Sequence, residues 1–390
     1  MRRKLRRGPV PALALVHALL GCASGSTDTP GTAAPSMAPA EFGALVSRLS
    51  EPGGFFPSDN FVSNELSYLH VLGAIRDLAV TGGAYVGVGP DQSFSYIAAT
   101  RPEIAFIIDI RRDNLLQHLL YKAAFSHSRN RLAYVAFLLG RPVPADVAAW
   151  DTASIEHIIR HIDSVPPDPA VFATNTALAI EAATAAGIPL DVQDTANLAR
   201  IHRAFHQMGL DIRYSNRGRF GFGGYPTWRQ LIFESDLDGN RLNYLASEES
   251  YQFLRDLERR NLVVPVVGDL SGTHAFAAVA AELKRRQIDV SVLYTSNVEQ
   301  YLFQQGGFVR FADNVAALPR AANGVVIRSY FRGRHPLNVP GYSSTQLVGR
   351  LDDFVTDSRD GGYRSYLDLI MRNILPLRLL PVPTRQRSAS

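Results

Sequence analysis

The amino-acid sequence predicts an α/β fold, with a doubly wound, mostly parallel sheet and a largely helical insertion. Beyond residue 40, apolar runs of strand length alternate with segments whose apolar residues recur at helical spacing. Several runs are apolar on both faces, as expected of strands that helices cover on both sides. The long connections between the runs leave room for crossover helices, which join parallel strands.

The predicted elements run from a first helix to a last strand. Residues 63–80 carry leucine and isoleucine at helical spacing, which predicts a helix that leads into the sheet. Helices are also predicted after the second strand, over 114–125, and after the third, over 274–286. Right-handed crossovers then give the strand order 3-2-1-4-5. The five strands are predicted at 84–88, 104–110, 262–269, 290–294 and 325–331, the last after an Asn323-Gly324 turn.

The pattern changes between the second and third strands, from about residue 126 to 245. Here helical pieces are separated by proline-rich and glycine-rich turns, VPPDP at 165–169 and RGRFGFGGYP at 217–226 among them. No strand pattern interrupts them. The segment is therefore predicted to be a helical insertion or cap on the sheet.

The first 40 residues predict an exported, lipid-anchored protein. Five of the first seven residues are basic, and the apolar stretch that follows ends in Leu19-Leu20-Gly21-Cys22. This stretch is too short to span a bilayer, which takes about 20 apolar residues, and it fits a signal peptide over residues 1–21. Its end resembles a bacterial lipobox, in which the cysteine after the cleavage site is acylated. We therefore expect a lipid anchor on Cys22, a flexible linker over 22–40 and a folded domain over 41–390.

The predicted location is the cell envelope, on the periplasmic side or at the outer membrane. Ala23 and Ser24 follow the cysteine and lack the aspartate that often retains lipoproteins at the inner membrane. Arg2-Arg3 leaves twin-arginine export open as another route. If the leader is not a signal, the chain is a cytoplasmic protein with a basic tail.

Charge and cysteine content exclude several classes of partner and site. The net charge of +4 becomes −1 when residues 1–21 and their five basic side chains are removed. A nucleic-acid partner is therefore not expected, because the basic excess lies in the leader. Cys22 is the single cysteine, which excludes an internal disulfide framework, a thiolate zinc cluster and an iron–sulfur site.

The end of the first predicted strand carries the first candidate for a ligand site. Gly87-Val88-Gly89 allows the backbone to turn tightly and approach a ligand, and Asp109 follows 20 residues later at the end of the second strand. At this spacing a carboxylate can accept hydrogen bonds from ribose hydroxyls, so the pattern is typical of nucleoside binding. Alternatively, the glycines only make a tight turn and Asp109 caps the following helix.

A dinucleotide site matches less well than a methyltransferase-like site. Gln92 occupies the place of the third glycine in the G-x-G-x-x-G pattern, a variation that class I S-adenosylmethionine-dependent methyltransferases tolerate. The first motif of those enzymes has an acid two residues before the first glycine, where this chain has Tyr85. The chain thus departs from the motif at the position that binds the amino group of the methionine moiety.

Two later strand ends add further candidates. Gly268-Asp269 ends the third strand and resembles the acidic position that contacts the adenine side of the ligand in methyltransferases. Tyr294 and Asn297 lie at the end of the fourth strand, where such enzymes place residues that face the reacting centre. Ser296 and Glu299 have the S-x-x-E spacing of a capping box, which is their expected role.

Weaker patterns favour structural roles. The histidine pairs 157/161 and 202/206 have the i,i+4 spacing of helix metal ligands, but no third ligand is apparent, so packed or solvated histidines are expected. Ser271 lacks the G-x-S-x-G elbow of a hydrolase nucleophile. Aromatic packing is the expected role of Tyr225 and Trp228.

Four segments resemble an uncharacterised bacterial family with a methyltransferase-like Rossmann fold and no established reaction. The resemblance covers roughly residues 50–335 and implies S-adenosylmethionine as the cofactor. The segments are SNELSYLHVL, YVGVGPDQSFSYIAATRPEIAFIIDIRRDNLLQHLLYKA, GYPTWRQLIFESDLDGNRLNYLASEESYQFLRDLERRNLVVPVVGDLSGTHA and VSVLYTSNVEQYLF. The resemblance implies the following candidate residues for the ligand cleft: Gly87, Gly89, Gln92, Asp109, Arg111, Arg112, Asn114 and Asp269.

Two functions follow from these observations. The first is a methyltransferase that uses S-adenosylmethionine, with Asp109 on the ribose, Asp269 near the adenine and Gly87 to Gly89 at the methionine end. Positioning would supply most of its catalysis, because the methyl donor is already activated. The second is a non-enzymatic envelope-associated binding protein with a repurposed or vestigial cleft. Export favours the second, because S-adenosylmethionine is made in the cytosol.

Overall fold

A computed structural model describes residues 36–215, 224–331 and 335–377 of the chain. All of these lie within one compact unit, Ala34–Ser390. The predicted signal peptide, Cys22 and most of the predicted linker lie outside the described residues. None of the helices in the described part is long and apolar enough to cross a membrane.

The described residues form a mixed α/β fold around one six-stranded sheet of order β3-β2-β1-β4-β5-β6. The first five strands are parallel to one another, and β6 pairs antiparallel with β5. The mostly parallel sheet and the order 3-2-1-4-5 of its first five strands are thus confirmed. The strands are β1 (Ala84–Gly87), β2 (Ile104–Asp109), β3 (Val263–Val267), β4 (Val290–Ser296), β5 (Arg320–Tyr330) and β6 (Thr345–Arg350).

Helices precede, connect and follow these strands. Three short 3₁₀ helices also occur among the described residues, at Leu66–Val71, Val147–Trp150 and Gly209–Asp211. The α-helices are α1 (Pro39–Leu49), α2 (Leu72–Asp77), α3 (Gln92–Thr100), α4 (Arg112–His127), α5 (Arg131–Leu139), α6 (Ile155–Ser164), α7 (Pro169–Ala185), α8 (Val192–Met208), α9 (Trp228–Ile232), α10 (Glu248–Arg259), α11 (Ala275–Arg286), α12 (Val298–Gln305), α13 (Phe308–Ala317), α14 (Leu351–Arg359) and α15 (Tyr366–Met371).

Burial explains the central strands. Every residue of Ile104–Ile108 in β2 is buried, because helices cover both faces of the sheet. Pro265 lies in β3, where its missing N–H is tolerated because β3 is at the edge of the sheet. The chain after α1 covers this edge: Glu51 N–H donates to the Val267 carbonyl at 2.9 Å, and Ser50 Oγ accepts from Val267 N–H at 3.1 Å.

The described part of the connection from β2 to β3 contains the helices α4 to α10 and no strand of the sheet. Helix α4 packs on β3 and on four other helices, α5, α7, α8 and α10. Eleven of its sixteen residues are buried. The predicted helical insertion is therefore not a separate lobe, since its helices pack around α4 against the sheet.

Two local predictions were wrong, and one strand was missed. The segment 63–80 is not one helix, because a 3₁₀ helix precedes the short α2. Asn323 and Gly324 lie inside β5 and not in a turn. At Gly324 a Cβ atom would come within 2.9 Å of the Ala321 and Val290 carbonyl oxygens, so a close backbone approach requires this glycine. The sixth strand was not predicted.

Candidate functional site

A cavity of about 200 Å³ lies at the carboxyl ends of β1 to β4. It adjoins β1, the strand beside which the chain order of the sheet reverses, which is where open α/β sheets bind ligands. Seven of the ten predicted cofactor-binding residues line it. These seven are Gly89, Gln92, Asp109, Arg111, Gly268, Asp269 and Asn297.

Of the two glycines after β1, only Gly89 faces this cavity. Its φ of +82° lies in the region that favours glycine, and an added Cβ atom would approach Gln92 Nε2 to 3.0 Å. Gly87 is not part of the lining. The hydroxyl of Tyr85 would lie 2.4 Å from a Cβ atom at Gly87, so this glycine makes room for a buried tyrosine. The prediction that Gly87 contacts the methionine end of a ligand therefore does not fit this cavity.

Asp109 lines the cavity in a tight pair with Arg111. Asp109 Oδ1 accepts from the backbone N–H and from Nε of Arg111, at 2.9 and 3.1 Å, and Oδ2 accepts from Nη2 at 2.8 Å. Arg111 Nη1 also donates to the carbonyls of Ser58 and Asp59. Asp109 thus organises the start of α4 and the loop above it, and one acceptor position on Oδ2 stays open to a ligand.

Asp269 faces the same cavity from the end of β3. Its Oδ1 accepts from the N–H and the hydroxyl of Ser271, at 2.8 and 3.0 Å, and its own N–H donates to Glu51 Oε1 at 2.7 Å. Oδ2 has no hydrogen-bond partner among the described residues, so it can accept one from a ligand. Gly268 admits Ala275, whose Cβ would lie 2.2 Å from a Cβ at that position.

The end of β4 differs from its predicted capping box. Ser296, with a φ of +53°, donates its hydroxyl hydrogen to Glu65, while Glu299 pairs with Arg328. Asn297 stands at the N-cap of α12 without a side-chain cap bond. The predicted Ser296–Glu299 box is therefore wrong, because each side chain has a stronger partner elsewhere. Ser296 and Asn297 instead line the cavity.

Glu65 is a functional candidate that sequence reasoning missed. It is fully buried, and its carboxylate accepts from three neutral groups: Tyr294 Oη at 2.7 Å, Gln346 Nε2 at 2.7 Å and Ser296 Oγ. It forms no ion pair within the described part of the chain. The available signal was its place in the segment SNELSYLHVL, but nothing in that segment reveals partners more than 200 residues away.

The predicted residues Tyr294 and Asn114 are buried behind the lining. Tyr294 links two groups, because it donates to Glu65 and accepts from Gln92 Nε2 at 3.1 Å. Burial, followed by the charge of Glu65, raises the pKa of Tyr294 well above its usual value. Both side-chain polar atoms of Asn114 lack hydrogen-bond partners, as does Gln92 Oε1. The predicted residues thus form two layers of one polar region: an outer layer that lines the cavity, and an inner layer that is buried behind it.

His118 completes this region beneath the glycine turn. Its Nε2 lies 3.0 Å from the Gly89 carbonyl oxygen, so Nε2 carries the hydrogen and Nδ1 is a buried acceptor without a partner. Burial lowers the pKa of His118 to about 4. The neutral imidazole therefore holds the carbonyl that precedes Pro90 at the cavity turn.

Aromatic and amide side chains form the rest of the cavity wall. Phe55 is 80% exposed at the rim, and the ring of its neighbour Phe56 meets Tyr301 edge to face at 5.2 Å. Among the described residues, Arg111 is the single cation of the lining, and it is already paired with Asp109. The described part of the wall thus offers planar apolar surface, neutral amides and carboxylates, but no free cation for a phosphate. Its uncharged polar residues are Asn60, Asn64, Gln92, Ser296, Asn297 and Gln305.

The weaker candidates have structural partners. His202 bonds Thr176 and the Phe137 carbonyl, and His206 contacts the Leu139 carbonyl. The part of the chain that the structure describes holds no cluster of three or more histidine, cysteine or acidic residues arranged for a metal. Ser271 belongs to the Asp269 turn. Trp228 is buried and donates from Nε1 to Asp91 at 2.8 Å; burial raises the pKa of Asp91 to about 6.

Most of the residues that line this cavity lie in the part of the chain that one family model matches. A family model described as a domain of unknown function (DUF7790) matches residues 60–139 and 150–351, which include all six strands. No curated protein matches the sequence. Because the matched residues make up well over half of the chain, the protein belongs to the family defined by this domain of unknown function, DUF7790.

Proposed function

We propose that the protein binds S-adenosylmethionine or a related nucleoside ligand without phosphate groups at the carboxyl ends of β1 to β4. The observation that carries this proposal is the composition of the cavity wall. Two carboxylates, Asp109 and Asp269, each keep acceptor capacity, and aromatic side chains stand beside them, while the single cation that the described residues place in the lining is already paired. Carboxylates suit ribose hydroxyls and aromatic rings suit a base. Nucleotides with phosphates would meet no free positive charge from the described lining residues.

The strand order supports the same proposal. A Rossmann-like sheet of methyltransferase type has the order 3-2-1-4-5 with further strands beyond the fifth, and an antiparallel strand follows β5 here. In our proposal Asp109 Oδ2 accepts from the ribose and Asp269 Oδ2 faces the adenine side. Asn297 and Ser296 face the reacting end of the ligand. Methyl transfer would then rest on positioning of donor and acceptor.

A second candidate function is a binding protein without a reaction. The pairing of Asp109 with Arg111 and the tyrosine at position 85 favour it, because the pair occupies three acceptor positions of Asp109 and the tyrosine replaces the acid that would bind the amino group of the methionine moiety. In that case the cavity holds a small polar ligand with a planar group. Fold alone does not decide between the two functions.

Calorimetric titration of the full-length chain tests the proposal. We expect heat with S-adenosylmethionine or S-adenosylhomocysteine and none with ATP. Asp269→Asn should weaken binding, because it replaces a free acceptor oxygen with a donor, while Asp313→Asn on α13 is a matched control outside the cavity. Absence of heat with both nucleosides at millimolar concentration would overturn the proposal. Binding without methyl transfer to any acceptor would favour the second function.

We also propose that Cys22 carries a lipid and places the protein in the cell envelope. The lipobox-like sequence before this single cysteine supports the proposal. Metabolic labelling with a radioactive fatty acid should mark the full-length chain and leave Cys22→Ala unlabelled. Equal label in both proteins would contradict acylation at this position.

A further inference from the structure

The floor of the cavity holds a negative charge that no positive charge of the described residues balances. Glu65 comes from the segment just before the first 3₁₀ helix and lies between the ends of β4 and β6. All three of its side-chain partners are neutral hydrogen-bond donors. Hydrogen bonds from neutral donors stabilise a buried carboxylate, but they leave its charge in place.

The same feature contrasts with three other buried acids near the sheet. Glu299, equally buried, is bound through both oxygens by Arg328, and Glu258 is paired with Lys122. Glu282 contacts Arg285 and Arg286. Buried charges in proteins are normally paired in this way, because an isolated charge in a low dielectric is costly. Glu65 resembles Asp91, whose side-chain partners Trp228 and Tyr244 are also neutral, but only Glu65 has a partner, Ser296, that lines the cavity.

A second, independent observation, an unpaired oxygen of Gln92, indicates the same region of the cavity floor. Gln92 is buried and lines the cavity, its Nε2 donates to Tyr294, and its Oε1 has no hydrogen-bond partner. An amide oxygen without a donor attracts positive charge as a carbonyl does. The charge of Glu65 and this oxygen act on one region of the floor, bounded by Gln92 and Ser296. Arg111, the single cation among the described lining residues, is bound to Asp109.

We propose that this floor, formed by Gln92, Tyr294, Glu65 and Ser296, is a subsite for a positively charged group of the ligand. The proposal rests on the proposed nucleoside site and assigns it a charge preference. Glu65 acts through its charge, since Ser296 stands between its carboxylate and the cavity. In a site screened from water, one unit charge several ångströms away changes affinity by about tenfold or more. The sulfonium of S-adenosylmethionine has the required charge, and S-adenosylhomocysteine has a neutral sulfur at the same position.

The test compares these two ligands by calorimetry on the full-length chain. The wild-type protein should bind S-adenosylmethionine about tenfold more tightly than S-adenosylhomocysteine. Glu65→Gln should remove this preference by weakening S-adenosylmethionine alone, because the substitution removes charge and keeps a hydrogen-bonding side chain of similar size. Asp313→Asn, which removes an exposed charge outside the cavity, should keep the preference. The preference should also persist at high salt, since a buried charge is little screened.

Each outcome bears on the inference separately from the proposed function. Equal affinities in the wild-type protein, or weaker binding of S-adenosylmethionine, would overturn the charged subsite while leaving the nucleoside site intact. Equal weakening of both ligands by Glu65→Gln would show a merely structural role. If Glu65→Gln does not fold, the ratio of the two affinities in the wild-type protein still tests the inference. Failure of both ligands to bind would overturn the nucleoside site and the subsite with it.

Discussion

Single side chains around the cavity have partners that residue type alone does not reveal. Asp109 was predicted at a strand end from its spacing to Gly89, and it does line the cavity. Its salt bridge with Arg111 depends on the extended backbone of Arg111 at the start of α4, which spacing does not specify. Glu65 was missed for a similar reason, since its partners come from β4 and β6. Sequence locates strand ends well, but not the pairs that form between them.

His118 gives a prediction about pH at this scale. Burial lowers its pKa to about 4 in the folded chain, below the usual 6.5 that applies after unfolding. His118 is therefore harder to protonate in the folded state than in the unfolded state. The contribution of neutral His118 to the free energy of unfolding is fully present above pH 6.5 and is lost as the pH falls toward 4. The full loss is about 3 kcal/mol.

His118→Gln keeps an N–H for the Gly89 carbonyl and removes the titration. Its free energy of unfolding in urea should therefore fall less steeply than that of the wild type over this acid range. His127→Gln, an exposed position on the same helix, serves as the control and should follow the wild-type profile. Parallel profiles for His118→Gln and wild type would show that His118 does not carry this dependence.

At the scale of elements, strands were predicted better than helices and turns. The apolar runs located all five parallel strands, because strands covered on both faces carry uninterrupted apolar sequence. β6 was not predicted, because Thr345–Arg350 contains polar residues and a glycine. Antiparallel pairing with β5 stabilises this strand. The Asn323-Gly324 pair has the sequence of a turn, yet it lies within β5, where Asn323 Nδ2 donates to the Ala79 carbonyl at 2.9 Å. Tertiary contacts overrode local preference at both places.

The contact between α12 and β5 yields a second prediction. Arg328 Nε donates to both oxygens of Glu299, at 3.0 and 2.8 Å, and both side chains are buried. Glu299→Gln would leave the guanidinium charge uncompensated and should lower the free energy of unfolding by about 3–5 kcal/mol. Arg328→Met should have a comparable cost, because it leaves the carboxylate unpaired.

The double variant distinguishes pairing from simple packing. Glu299→Gln combined with Arg328→Met removes both charges, so it should cost clearly less than the two single losses added together. Urea unfolding of the four proteins measures this coupling. Additive losses would mean that the two charges do not stabilise each other.

For the whole molecule, the residues that the sequence marked at separate strand ends converge on one cavity. Seven of the ten cofactor-binding candidates line it, and Tyr294 and Asn114 lie behind them. This convergence was predictable because parallel strands end at the same edge of the sheet. The rim formed by Phe55 and Phe56 was not, since it belongs to an irregular loop whose position depends on bonds such as Gly54 N–H to the Ile110 carbonyl.

A crystal structure of the full-length chain soaked with S-adenosylhomocysteine tests the central claim most directly. We predict ligand density in the cavity at the ends of β1 to β4, with the ribose beside Asp109, the base toward Asp269 and the sulfur toward Ser296. An Asp269→Asn crystal treated in the same way should show weaker occupancy. Density at another surface, or a cavity that stays without ligand at saturating concentration, would contradict the account.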